Sequence, residues 1–120
     1  MRKNSLIIPN SIYPLNIYVF YGDAEKAKIF FKEHSIDVEC IDKYISDKYA
    51  ARTVRTEESS ILIHLTELSV GMIVHECFHA VEFVFDHIGL DLKKHSSEAW
   101  AYYLEYLVTE ISNNIKDTEF

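Results

Sequence analysis

Two cysteines, two prolines and three glycines in 120 residues leave little material for a disulfide scaffold, a repeat array or a low-complexity linker. Cys40 and Cys77 are the only thiols, so no disulfide framework is indicated. Positive charge is scarce too: 12 Lys and Arg stand against 19 Asp and Glu, a formal net charge of −7. Binding to nucleic acid or to an anionic membrane relies on cations that neutralise phosphates, so the expectation is no nucleic acid and no membrane partner. No apolar run approaches the roughly 20 residues that cross a bilayer, and the early Leu6, Ile7, Ile8 run is too short for the apolar part of a signal peptide. A cytoplasmic protein is the resulting expectation.

What is present is a chain that is 48% hydrophobic and 26% charged, of a length that suits one domain over residues 1–120. Asn16 to Tyr21 is β-branched and aromatic, with Pro14 before it and Gly22-Asp23 after it, which predicts a strand ending in a turn. A helix follows, with Asp23 as N-cap and Ala27, Phe30, Phe31 and His34 at helical spacing. Residues 36–49 show no clean period. The segments "YAARTVRT" and "ILIHLT", joined by the polar "EESS", predict a hairpin whose second strand covers Ser60 to Thr66. A long helical pattern runs from Ser69 to Ile88 with Gly89 as C-cap, and another begins at Ser96 or Ser97. Strand, helix, hairpin, helix, helix is an α+β order.

The chemistry lies in "HECFH". Residues four apart on a helix share a face with Cβ atoms roughly 6 Å apart, so His75 and His79 can aim ring nitrogens at one tetrahedral cation. Glu76 flanks that cation and can take a proton from zinc-bound water, whose pKa the metal lowers toward about 7. His-Glu-x-x-His is thus the mechanical minimum for metal-assisted hydrolysis, with Zn²⁺ as the expected cofactor. Catalytic zinc normally takes three protein ligands. Glu98 is the leading third candidate because it opens the next helix after a short link; His95, Asp86 and Asp91 stand in reserve.

His75, Glu76, His79 and then Glu98 after eighteen residues (80–97) resemble the gluzincin metallopeptidases, the class of thermolysin-like and aminopeptidase N-like enzymes. The resemblance covers about Val54 to Ile111. It implies a zincin-like fold with a small mixed sheet, an active-site helix and a following ligand-bearing helix. It implies His75, His79 and Glu98 as zinc ligands and Glu76 as general base. It also implies an edge strand beside the active helix that holds an extended peptide, a place that "ILIHLT" would occupy. Where thermolysin-like enzymes carry an acid one turn after the ligand glutamate, this chain has Tyr102, with Glu105 three residues on. The metzincin pattern is absent, since Glu82 and Phe85 occupy its Gly and His places. With no room for the second domain of larger gluzincins, the chain looks like a minimal zincin, similar to small zincin-like proteins of bacteria and phages.

The functional expectation is a zinc metallopeptidase acting on a peptide or protein substrate, with a homodimer as one way to complete a cleft. The alternative is a zinc-stabilised, non-catalytic binding or inhibitor protein, such as a phage-encoded one, that uses the same groove. A third is a plain helical hairpin without metal. Tyr102, Tyr103 and Tyr106 read as packing residues, and one of them, His64, Arg52 or Arg55 is a candidate to stabilise an oxyanion. Cys77 points away from the histidines along the helix and reads as a small buried residue. His87 reads as a helix-end residue.

Overall fold

A computed structural model describes residues 4–9, 13–34, 37–56, 60–89 and 97–115. Along these residues run β1 (Ser5–Ile8), β2 (Asn16–Tyr21), α1 (Ala24–Glu33), α2 (Val38–Tyr44), β3 (Ala51–Arg55), β4 (Ser60–Leu65), α3 (Val70–Ile88) and α4 (Ser97–Asn114). The four strands form one mixed sheet in the order β1-β2-β4-β3. β1 pairs antiparallel with β2, β2 parallel with β4, and β3 antiparallel with β4.

Period-two alternation sorts the strand side chains onto two faces. Ile17, Val19, Ile61, Ile63 and Leu65 point to one face and pack against Ile73, Cys77, Ala80, Val81, Val84 and Phe85 of α3 and Tyr103, Leu107 and Ile111 of α4. Phe20, Val54 and Leu62 point to the other and pack against Ala27 and Phe31 of α1 and Ile41 of α2. β4 is buried from Ile61 to Leu65 because helices cover both faces of the sheet along it, which is why its sequence does not alternate apolar with exposed polar residues. Each fully buried Ile, Leu or Phe here contributes about 1.5–3 kcal/mol of transfer free energy.

Local chemistry sets the helix ends. The Asp23 carboxylate accepts from the Lys26 N–H at 2.8 Å, and the Ser69 hydroxyl from the Met72 N–H at 3.2 Å, each satisfying a first-turn donor that has no partner in the helix. Gly89 closes α3 at φ 77°, a left-handed conformation that side chains disfavour. Gly22, at φ 152°, carries the chain from β2 into α1, and a Cβ there would sit 2.8 Å from the Phe20 ring.

The expected elements from Asn16 onward are present, with two differences and one addition. Residues 38–44 form α2, started by an Asp37 carboxylate that accepts from the N–H groups of Glu39 and Cys40. β1 adds a strand that the short Leu6–Ile8 run did not announce. "ILIHLT" is not the edge strand: β4 lies inside the sheet, its two sides paired to β2 and β3, and β3 is the edge beside α3. The correction follows from β2, whose parallel pairing occupies the side that β4 would otherwise leave open. No helix among the described residues is long and apolar enough to cross a membrane.

Candidate metal centre

α3 lies along the edge of the sheet because its apolar side packs on β4 and its neighbours, which turns the opposite side of the helix outward. His75 and His79 fall on that outer side. Their Nε2 atoms are 3.2 Å apart. Two nitrogens each 2.0–2.1 Å from one tetrahedral zinc ion lie roughly 3.3–3.4 Å apart, so the pair already has the spacing that a shared cation requires.

A carboxylate fixes one of the two rings. His79 Nδ1 is 2.9 Å from Glu82 Oε1, and since an ionised carboxylate only accepts, Nδ1 is the donor. With Nδ1 engaged by Glu82, His79 turns Nε2 toward His75 Nε2, and a cation between the rings would take the lone pair of each Nε2 with the ring proton on Nδ1. Carboxylate support of this kind orients metal-binding histidines and raises their basicity. Glu82 was not among the expected site residues; the signal for it was its place three residues after His79, the helical spacing at which side chains meet.

Glu76 sits on the inner flank of the pair and is only 6% exposed. Its Oε1 accepts from the Thr53 hydroxyl at 2.7 Å, while Thr53 also reaches the Glu76 carbonyl at 3.1 Å. Oε2 lies 3.9 Å from His75 Nε2. The carboxylate is thus held at one oxygen by β3 and has the other beside the histidines. Thr53 is invisible to motif reasoning because it lies on a different element, 23 residues away from Glu76. In front of Glu76 lies an open groove of about 360 Å³, with Tyr49, Ala50 and Ala51 on the strand side and Gly71, Met72, His75 and Glu76 on the helix side. Gly71 adds no side chain to that wall.

The remaining sequence candidates are distributed differently. Glu98 is exposed in the first turn of α4 and has no ion-pair or hydrogen-bond partner among the described residues. No group of three or more His, Cys, Asp or Glu that could hold a metal ion occurs among the described residues, so Glu98 is not gathered with His75 and His79 here. His95 and Asp91 lie outside the described residues. Asp86 is taken by Arg55, with a 2.8 Å ion pair that also brings the guanidinium to 3.5 Å from His87 Nδ1. Cys77 is fully buried; burial and the neighbouring Glu76 charge push its thiol up to about 12, so it stays protonated.

His64 is corrected as an oxyanion candidate. It points to the α1/α2 face, away from the groove, and its Nε2 donates to the Gly22 carbonyl at 2.8 Å. Burial lowers its pKa. Arg52 also lies on that face, stacked on Tyr44 and Tyr49. Of the tyrosines on α4, Tyr103 is buried against Tyr13 and Phe85, Tyr106 stacks on it, and Tyr102 is 67% exposed.

Comparison of the chain with protein-family models, curated proteins and solved structures finds no match. The case for function rests on the residues themselves.

Proposed function

We propose that the protein is a zinc-dependent metallopeptidase of minimal, zincin-like design, with His75, His79 and Glu98 as metal ligands and Glu76 as general base. The observation that carries the proposal is the imidazole pair: two Nε2 atoms at cation-sharing distance, one ring anchored by Glu82, with a buried, half-committed carboxylate beside them. Glu98 is supported by its spacing from His79 and by a carboxylate that nothing else engages among the described residues.

A zinc ion at the pair would supply Lewis-acid polarisation of the scissile carbonyl and make a nearby water more acidic. The chain does the rest. Thr53 keeps Glu76 Oε1 occupied, so Oε2 is the oxygen that takes the proton as water adds to the carbonyl carbon. The same oxygen then gives that proton to the amide nitrogen as the C–N bond breaks. The groove between the start of β3 and the first turns of α3 holds the peptide, and the outer edge of β3, rather than β4, offers it backbone hydrogen bonds. The proposal includes cytoplasmic action on peptide or protein substrates.

A second reading is a zinc-stabilised, non-catalytic binding or inhibitor protein that uses the same groove and histidine pair without turnover. One experiment separates the two. Metal content by elemental analysis and cleavage of a peptide library are measured for the wild type, Glu76→Gln, His79→Ala and Glu98→Ala. The peptidase proposal expects near one zinc per chain, kept in Glu76→Gln and lost in the other two, with hydrolysis reduced by about 10²–10⁴-fold in Glu76→Gln. Zinc without cleavage by the wild type supports the binding protein, and a chain that takes up no zinc defeats both.

A further inference from the structure

β3 has a second asset besides Thr53. The Thr66 N–H bonds to the Ala50 carbonyl and the Thr56 N–H to the Ser60 carbonyl, which fixes the phase of the antiparallel ladder. Residues 50, 52, 54 and 56 therefore bond inward to β4, and Ala51, Thr53 and Arg55 turn their N–H and C=O groups outward at the sheet edge. These outward residues carry side chains on the α3 face, as the Thr53–Glu76 and Arg55–Asp86 contacts show. Arg52 and Val54 carry theirs on the other face.

Arg52 is held there without a counter-charge. Its guanidinium lies over Tyr44 at 5.3 Å and Tyr49 at 4.5 Å, and those rings also carry Lys43 at 5.2 Å and Lys48 at 5.9 Å. Lys28 and Lys32 are paired with Asp42, and Arg55 with Asp86, whereas exposed Lys26 on α1 has no ion pair among the described residues either. Among the described residues neither Arg52, Lys43 nor Lys48 has an ion pair, in a chain whose net charge is −7. Tyr49 is shared by this cluster and the groove.

From this geometry we infer that Arg52 selects substrates with an acidic residue immediately next to the one facing Glu76, an inference that rests on the peptidase site proposed above. A peptide added antiparallel to β3 alternates as β3 does. Where one of its residues lies opposite Thr53 and faces α3, the next lies opposite Arg52 on the far face, in the non-hydrogen-bonded kind of pair whose side chains approach most closely. A guanidinium stacked on two rings keeps its N–H edge open and planar, the form that binds a carboxylate through two parallel hydrogen bonds. Lys43 and Lys48 stand beside the same rings, with Asp37 and Glu39 lining the neighbouring pocket of Lys43 and Tyr44, so the carboxylate's contact is with the guanidinium itself.

The test uses binding to the Glu76→Gln protein with zinc supplied, so that turnover plays no part. Blocked hexapeptides with a single Asp walked through each position are compared with their Asn counterparts by fluorescence anisotropy. Asp should bind about three- to five-fold tighter at one position. That gap should vanish in the Arg52→Gln form and pass to the matching Lys peptide in the Arg52→Glu form, with circular dichroism confirming the fold of both. Equal binding of Asp and Asn peptides, no binding of either, or a gap that survives Arg52→Gln overturns the inference. If the wild type cleaves nothing while the Asp preference persists and depends on Arg52, the peptidase reading fails and the selection stands.

Discussion

The two faces of the sheet treat histidine in opposite ways. On the α1/α2 face, His64 is 1% exposed, spends its Nε2–H on the Gly22 carbonyl, and resists protonation because burial disfavours its charged form. At the rim of the α3/α4 face, His75 and His79 turn their nitrogens toward each other and toward solvent, with a carboxylate behind one of them. The difference lies in what the second nitrogen meets. A backbone carbonyl makes a histidine part of the core, whereas a partner imidazole and an anchoring carboxylate leave a lone pair that can be offered to a cation.

The comparison can be broken first at the cores beneath the two faces. Phe85 contacts the rings of Tyr13, Trp100 and Tyr103, while Phe31 contacts that of Phe30. Truncating either to Ala should cost about 3–5 kcal/mol, with Phe85→Ala toward the upper end because three aromatic contacts go with it. Urea unfolding measures both, and a larger loss for Phe31→Ala would show that the α3/α4 face is not the main support. The next test concerns the anchoring carboxylate. Glu82→Gln should weaken zinc binding by about 10–100-fold with little change in stability, as read by a competing chelator; unchanged affinity would reduce Glu82 to a surface acid.

The smallest expected effect sharpens the buried side. The folded pKa of His64 lies below the ordinary 6.5, with burial as the main cause and the Gly22 hydrogen bond and the charges of Asp47 and Asp23 opposing it. Above pH 6.5 neither the folded nor the unfolded imidazole is charged, and the stability is complete. As pH falls below 6.5 the unfolded chain binds the proton first, so stability declines, by up to about 1.4 kcal/mol per pH unit, until the folded pKa is reached. Urea midpoints between pH 7.5 and 5.5 should fall less steeply in His64→Gln than in the wild type. Equal slopes would mean that this histidine titrates freely.

Much of this was legible in the chain. The β2 boundaries, the Asp23 cap, the start of α3 near Ser69 and the Gly89 stop follow from local chemistry that does not depend on distant neighbours. The His75–His79 pairing was legible for the same reason, since it is set by the turn of one helix. What involves pairing across the chain was not. Whether β4 lies at the edge depends on β2 docking beside it, and the hold of Thr53 on Glu76 depends on β3 taking the outer place. Short β1 gave too few alternations to distinguish it from loop, and α2 has only one buried residue, Ile41, to mark a period.

The exposed rim of β3 also bears on how the molecule behaves at high concentration. An open strand edge is a template for a second copy, and proteins guard such edges with charge. Two β3 edges laid antiparallel would bring the Arg52 guanidinium groups of both chains onto one face, already crowded by Lys43 and Lys48. Repulsion between them discourages sheet growth from chain to chain, so the arginine that invites an acidic strand is also a guard against fibre formation.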